Sequence, residues 1–269
     1  MKQTLSVALV QCDSGPNKED NLSKAVSFCM EAISKGATFI LLPELFNIRS
    51  DTISVEQRAE NIPGPSLGPL MKLAKEKSVF ILAGSLCESS STPKKCYNTS
   101  VLINSNGSIS CTYQKIHLFD ACVGETKIME SRTFLPGKQP ILSTVQDWKV
   151  GLSICYDLRF PELYRHYSRH NAHILTVPAS FTTPTGEAHW EVLLKARAIE
   201  NQCYVLAPNQ VGIGARGVPT YGNSMIIDPW GKICARGTGD KEEVILAELE
   251  MDVLHQVRNT FPVLSHRQL

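Results

Sequence analysis

Three residues of this chain combine reactive side chains with a shared local setting. Glu44 ends the run F-I-L-L-P-E, Lys115 stands in Y-Q-K-I-H-L-F-D, and Cys155 stands in S-I-C-Y-D-L-R-F-P-E-L. Each follows a short apolar run of β-strand character, and strand carboxyl ends are where α/β folds place their chemistry. A cysteine attacks as its thiolate, so it needs a base to take its proton. The anion that then forms on the attacked group needs a fixed positive charge. Glu, Cys and Lys can fill those three roles without a metal or cofactor. Taken singly, each also has a plainer explanation: a loop carboxylate, an inert buried thiol, a solvated lysine. The residue types and their strand-end positions leave both explanations open.

The elements that must position these residues repeat along the chain. Alternation from Leu5 to Cys12 predicts a strand. Leu22, Ala25, Val26, Cys29 and Ile33 predict a helix, with Gly36 where a C-terminal cap belongs. Ala37–Leu42 is a continuous apolar run, Leu67–Ala74 has helical spacing, and Val79–Ala83 is again apolar. Val101–Ile103 and a returning strand to Lys115 flank a turn at Asn106-Gly107. In the second half the order recurs: strand Lys149–Cys155, helix Pro161–Tyr167, strand His173–Val177, helix Trp190–Ala198, then strands Val205–Ala207 and Ser224–Ile227. Local sequence follows suit. V-A-L-V-Q-C at 7–12 answers V-G-L-S-I-C at 150–155; A-T-F-I-L-L-P at 37–43 answers A-H-I-L-T-V-P at 172–178; V-L-I-N-S-N-G at 101–107 answers M-I-I-D-P-W-G at 225–231. Continuous apolar strands need both faces covered. Two half-sheets packed face to face with helices outside satisfy them, which predicts an α/β four-layer α-β-β-α sandwich of two pseudo-symmetric halves. The hairpin in each half argues against a barrel of eight βα units. No Pro- or Ser-rich linker divides the 269 residues, so residues 1–269 are expected to form a single domain.

Composition narrows the partners. With 27 basic and 26 acidic side chains the net charge is +1, which offers no basic footprint for nucleic acid. No apolar run approaches the ~20 residues that span a bilayer, so no membrane partner is expected. Nine cysteines, an odd count without a C-x-x-C pair, and a start that runs from Met1–Gln3 directly into a strand pattern predict reduced thiols in a cytoplasmic protein. Clustered Cys and His ligands with zinc spacing are missing, so no metal and no cofactor is expected.

The three strand-end blocks L-L-P-E-L-F, Y-Q-K-I-H-L-F-D and I-C-Y-D-L-R-F-P-E-L resemble the signature blocks of the nitrilase superfamily of carbon–nitrogen hydrolases, and the likeness extends from V-A-L-V-Q-C to R-N-T-F-P-V-L-S-H-R. The resemblance implies the same α-β-β-α sandwich and a Glu44–Lys115–Cys155 triad. In that scheme Glu44 is the base, Cys155 the nucleophile, and Lys115 with the Tyr156 backbone N–H the oxyanion stabiliser. It also implies a second glutamate shortly before a P-G pair, which selects Glu130 over Glu125. Segments 117–120, 178–200 and 221–231 resemble the branch that cleaves small α-keto amide acids. Within it, A-H-W-E-V-L-L-K-A-R-A-I-E-N-Q-C-Y-V is most similar to deaminated-glutathione amidases, with the sister ω-amidases that cleave α-ketoglutaramate as the alternative. A pseudo-amidase binding module is the non-enzymatic alternative, though all three triad residues are present.

An amide with a carboxylate beside a ketone needs a cation, and Arg159 is the candidate; an ion pair with Glu162 is its structural alternative. Phe181 and Thr185 are candidate pocket residues, with Phe181 equally suited to the core. His189 is expected to serve a helix start and His117 to support its loop. Between Lys115 and Pro136 the chain departs from the family pattern, with Cys122 and Gly124 where the branch often carries Pro-Gly; relatives use this loop at the pocket mouth. The resemblance finally implies a homodimer, with Phe261-Pro262-Val263-Leu264 available to pack across it. A papain-like Cys–His hydrolase has no matching signature.

Overall fold

The computed structural model describes residues 3–268, the side chain of Arg216 aside. Two large sheets organise it. In the first, strands run in the spatial order Glu243–Glu250, Thr4–Gln11, Phe39–Leu41, Phe80–Ser89, Cys96–Ile103 and Ile109–Gln114, with Phe134–Leu135 added beside Cys96–Ile103. In the second the order is Leu142–Val145, Trp148–Leu152, Ile174–Thr176, Tyr204–Ala207, Met225–Ile227 and Ile233–Arg236. The successive pairings are antiparallel, parallel, parallel, antiparallel and antiparallel in both sheets.

The repeat holds to the residue. Val7 pairs with Phe39 as Val150 pairs with Ile174, and Ile81 pairs with Ile103 as Val205 pairs with Ile227. The echoes align Val7 with Val150, Phe39 with Ile174 and Ile103 with Ile227, and the register adds Ile81 with Val205. Because the side-chain period in a strand is two, a one-residue slip in either half would exchange its two faces. Leu5, Val7, Leu9, Phe39 and Leu41 share one core cluster with Val150, Leu152, Ile174 and Leu206 of the second sheet. Their neighbours Ala8, Val10, Ile40 and Leu42 belong to another cluster with Ala25, Cys29, Leu70 and Ala74, from helices Lys18–Ser34 and Gly68–Lys77. Tyr164, Tyr167, Leu194 and Ala198 of helices Pro161–Arg169 and Glu191–Asn201 pack with the second sheet. The molecule is thus the expected α-β-β-α sandwich. Burying each of these aliphatic side chains contributes about 1.5–3 kcal/mol before entropy is counted.

Local sequence sets the ends. Asn17 caps helix Lys18–Ser34 by accepting from the N–H groups of Glu19 and Asp20, and Gly36 follows its last turn at φ +90. Several elements have no counterpart in the sequence expectations, strands Leu142–Val145 and Ile233–Arg236 among them. Strand Glu243–Glu250 returns along Thr4–Gln11 as an edge, helix Met251–Thr260 follows it, and a short hairpin joins Asp120–Val123 to Thr126–Met129.

Candidate active site

The parallel strands of both sheets deliver their carboxyl ends to one place. Strand Phe39–Leu41 leads through Pro43 to Glu44, which is 2 % exposed. Both carboxylate oxygens are held: Oε1 accepts from Asn98 Nδ2 at 2.9 Å and Lys115 Nζ at 2.9 Å, and Oε2 accepts from the Ser180 N–H at 2.9 Å. The neighbouring strand passes close beneath. A Cβ on Gly84 would lie 1.9 Å from the Pro43 carbonyl oxygen, so only glycine fits there.

Lys115 follows strand Ile109–Gln114 and is 1 % exposed. Its Nζ donates to Glu44 and, at 2.9 Å, to Glu130; the other face of Glu130 accepts from the Phe119 N–H at 2.7 Å. Burial alone would lower the lysine pKa, but the Glu130 and Glu44 carboxylates outweigh it and hold the ammonium well above its ordinary value. Glu130 is itself raised, first by burial and then by Glu44, against the pull of Lys115. Glu125 lies exposed near the tip of the hairpin.

Cys155 opens the turn Cys155–Arg159 at φ +47, a left-handed conformation that costs a non-glycine residue of order 1–3 kcal/mol. Two anchors hold it. The Cys155 N–H donates to the Pro178 carbonyl at 2.9 Å, and the buried Asp157 accepts from the Ile154 N–H, the Tyr113 hydroxyl and the His117 N–H and Nδ1 at 2.7–2.9 Å. His117 also stacks on Phe160 at 3.7 Å, so it is spent on the loop. Burial raises the Cys155 thiol well above its usual pKa; Glu44 adds to this and Lys115 opposes it. Burial thus favours the neutral thiol, which lies within electrostatic reach of Glu44 and Lys115.

Two hollows meet at Cys155. The larger, of about 200 Å³, is lined by Glu44, Glu130 and Cys155 and by residues of segments 45–58, 119–134 and 180–220, including Arg49 and Arg58. The smaller, of about 20 Å³, is lined by Cys155, Tyr156, Arg159, Phe181 and Thr185 with Phe119, Ser180 and Thr182. All four residues expected to hold substrate thus surround one crevice. Arg159 lies over the rings of Phe181 at 5.2 Å and Tyr156 at 5.7 Å, and its Nη1 is 3.3 Å from His189 Nδ1. Among the described residues it makes no ion pair with Glu162. Phe181 is both wall and core, since its other neighbour is Trp190 at 4.9 Å. Thr185 bonds Thr182 Oγ1 at 2.8 Å. His189 lies in a π-helical turn, Gly186–Trp190, just before helix Glu191–Asn201.

Sequence reasoning passed over Asn98, Asp157, Ser180, Arg49 and Arg58. Asp157 stands inside the C-Y-D-L-R block and could have been weighed there. Ser180 acts through its backbone, and Asn98 reaches Glu44 across 54 positions, so neither has a local signal. Among the described residues no group of three or more His, Cys, Asp or Glu side chains could hold a metal ion.

Residues 6–259 match the family model of carbon–nitrogen hydrolases. A deaminated glutathione amidase from Synechocystis is 42% identical over 99% of both chains. The mouse omega-amidase NIT2 is 36% identical over 98% of this chain and 95% of its own. Saccharomyces cerevisiae Nit3, a nitrilase-superfamily structure, superposes with a TM-score of 0.90 at 33% identity, covering 99% of this chain and 97% of that one. Agreement in sequence over nearly the full length, and in fold, makes this chain a member of the carbon–nitrogen hydrolase family, within the nitrilase superfamily.

Proposed function

We propose that the chain is an amidase that cleaves the internal amide of deaminated glutathione to α-ketoglutarate and cysteinylglycine through a thioester on Cys155. The observation that carries the reaction class is the buried Lys115 ammonium 2.9 Å from each of Glu44 and Glu130, in the cavity that Cys155 lines. Glu44 takes the thiol proton as Sγ attacks the amide carbon. Lys115 and the Tyr156 N–H, the second amide of the turn that Cys155 opens, receive the negative charge on the carbonyl oxygen. The C–N bond breaks as the Glu44 carboxyl returns its proton to the departing amine. Water, deprotonated by Glu44, then hydrolyses the thioester and frees the acid and the thiol. Glu130 orients Lys115, and the high lysine pKa keeps it charged throughout.

Arg159 binds the carboxylate next to the ketone, with Phe181 and Thr185 as walls of that subsite. The deaminated glutathione amidases among the relatives support this substrate. The omega-amidases support a second reading, α-ketoglutaramate with ammonia as leaving group. One panel decides: kcat/KM for deaminated glutathione, α-ketoglutaramate, glutamine and simple nitriles, with Cys155→Ala as control. Deaminated glutathione is expected to rank first and the variant to be inert. Preference for nitriles or glutamine, or turnover by the variant, contradicts the proposal.

The same reading extends to assembly and location. Trp230 and Phe261 are exposed and 5.9 Å apart, and exposed Ile199 adjoins Gly231; this apolar patch fits a two-fold contact between copies. Nine free cysteines fit a reducing cytoplasm. No helix of the described residues is long and apolar enough to cross a membrane.

A further inference from the structure

The two hollows differ tenfold in size, and the larger is not the one that holds Arg159. About 10–15 Å³ accommodates one water, so a leaving group the size of ammonia would use little of the larger cavity's roughly 200 Å³. Among the described residues two arginines line that cavity. Arg49 is fully engaged: Nε donates to the Ser14 carbonyl, Nη1 to the Ser180 and Thr220 hydroxyls, and Nη2 to Asp13 and the Val211 carbonyl. Arg58 is different. Its Nη1 donates to the Ser50 carbonyl at 2.9 Å, but its Nε is buried and has no hydrogen-bond partner among the described residues. Such a donor is costly to leave unmade, and the edge of a guanidinium that carries Nε matches the two oxygens of a carboxylate. Among the described residues the other charges on the cavity wall are Glu44 and Glu130, which share Lys115, and the exposed Asp51. The wall that Arg58 and Cys155 share is largely apolar in surface, with Ile128, Met129 and Phe134 among its residues.

We propose that Arg58 determines leaving-group specificity: it captures the carboxylate at the far end of a dipeptide amine seated in the larger cavity. This rests on the amidase reading above. A substrate with an anion at each end is then gripped by Arg159 on the acyl side and Arg58 on the amine side, with its amide at Cys155. The apolar part of the cavity wall takes the small side chain of the departing dipeptide. An amide whose leaving group is ammonia never reaches Arg58.

The test compares wild type with Arg58→Gln and Arg58→Lys on three substrates: deaminated glutathione, its analogue in which the glycine carboxylate is a carboxamide, and α-ketoglutaramate. Arg58→Gln is expected to raise KM for deaminated glutathione about 10- to 100-fold with kcat little changed. It should leave α-ketoglutaramate turnover as it was, and Arg58→Lys should recover part of the loss. Wild type should discriminate against the carboxamide by a similar factor, and Arg58→Gln should no longer discriminate. Equal turnover of acid and carboxamide by wild type overturns the assignment while leaving the amidase reading intact. So does an equal loss on all three substrates in Arg58→Gln. Failure of wild type to cleave any of the three removes the amidase reading itself, and Arg58 with it.

Discussion

Cys12 and Cys155 occupy equivalent places: each ends the first parallel strand of its half, and the six residues leading to them echo one another. Both are buried, and burial raises both thiols, Cys12 to about 12 against a counteracting bond to Ser14. Acidity therefore does not separate Cys155, the proposed nucleophile, from Cys12. The surroundings do. After Cys155 the chain turns at positive φ, clamped by Asp157, and faces Glu44 and Lys115, which the first half supplies. After Cys12 it runs past Ser14, with Arg49 as a neighbour already held by Asp13. The next strand end shows the same division: Pro43 is followed by Glu44, and its counterpart Pro178 by Ala179. At these two strand ends each half keeps the frame and supplies one of the proposed catalytic residues where the other has none, and the first half adds Lys115. A symmetric scaffold so yields an asymmetric site.

Exchanging the two cysteines gives the largest predicted effect. Cys155→Ala should lower kcat at least about 10⁴-fold with an unchanged melting temperature within a few degrees, whereas Cys12→Ala should keep kcat within about twofold and lose about 1 kcal/mol of stability. Steady-state kinetics and thermal unfolding of the pair check both. Glu44→Gln comes next. It keeps the shape but removes the proposed base, so kcat should fall about 10²- to 10⁴-fold, and a variant with undiminished kcat would assign the base elsewhere. Gly84→Ala is a structural version of the same comparison, since the register places Pro208 at the matching position of the second half. The added methyl meets the Pro43 carbonyl at 1.9 Å; unfolding should become easier by about 1–3 kcal/mol, and kcat should drop as Glu44 is displaced.

The smallest effect concerns His173, which stands where the first half has Thr38. Burial and then the nearby Arg258 and Lys149 lower its pKa from 6.5 to about 4, so the fold favours the neutral ring. Below pH 6.5 the unfolded chain binds the proton more readily. Stability should thus fall as pH drops from about 6.5 to about 4, by at most about 1–2 kcal/mol because the ring is partly exposed and screened. His173→Thr, which installs the first half's residue, should flatten that part of a denaturation profile taken against pH.

Much of this frame was legible because apolar strands buried on both faces leave continuous runs, and the three echoes fell in register. Glu44, Lys115 and Cys155 could be placed at strand ends for the same reason. Strand Glu243–Glu250 was not, since E-V-I-L-A-E-L-E mixes apolar and charged residues at an edge that is only partly covered. The hairpin 120–129 was hidden by its short strands, none of whose residues is fully buried. Asn98, Ser180 and Arg58 depend on how distant segments meet, and no local pattern encodes that. The division of the site into two hollows of unequal size is likewise a tertiary property. It moved the question of specificity from Arg159 alone to Arg58 as well.

The central claim is that Cys155, and not its counterpart, forms the acyl intermediate. Wild-type protein mixed with deaminated glutathione, acid-quenched within the first turnover and mapped by peptide mass spectrometry, tests it directly. The account predicts an α-ketoglutaryl adduct on the peptide that carries Cys155 and none on the peptide that carries Cys12. Turnover with an adduct on another cysteine, or with no adduct on Cys155 at any quench time while Cys155→Ala remains active, would contradict it.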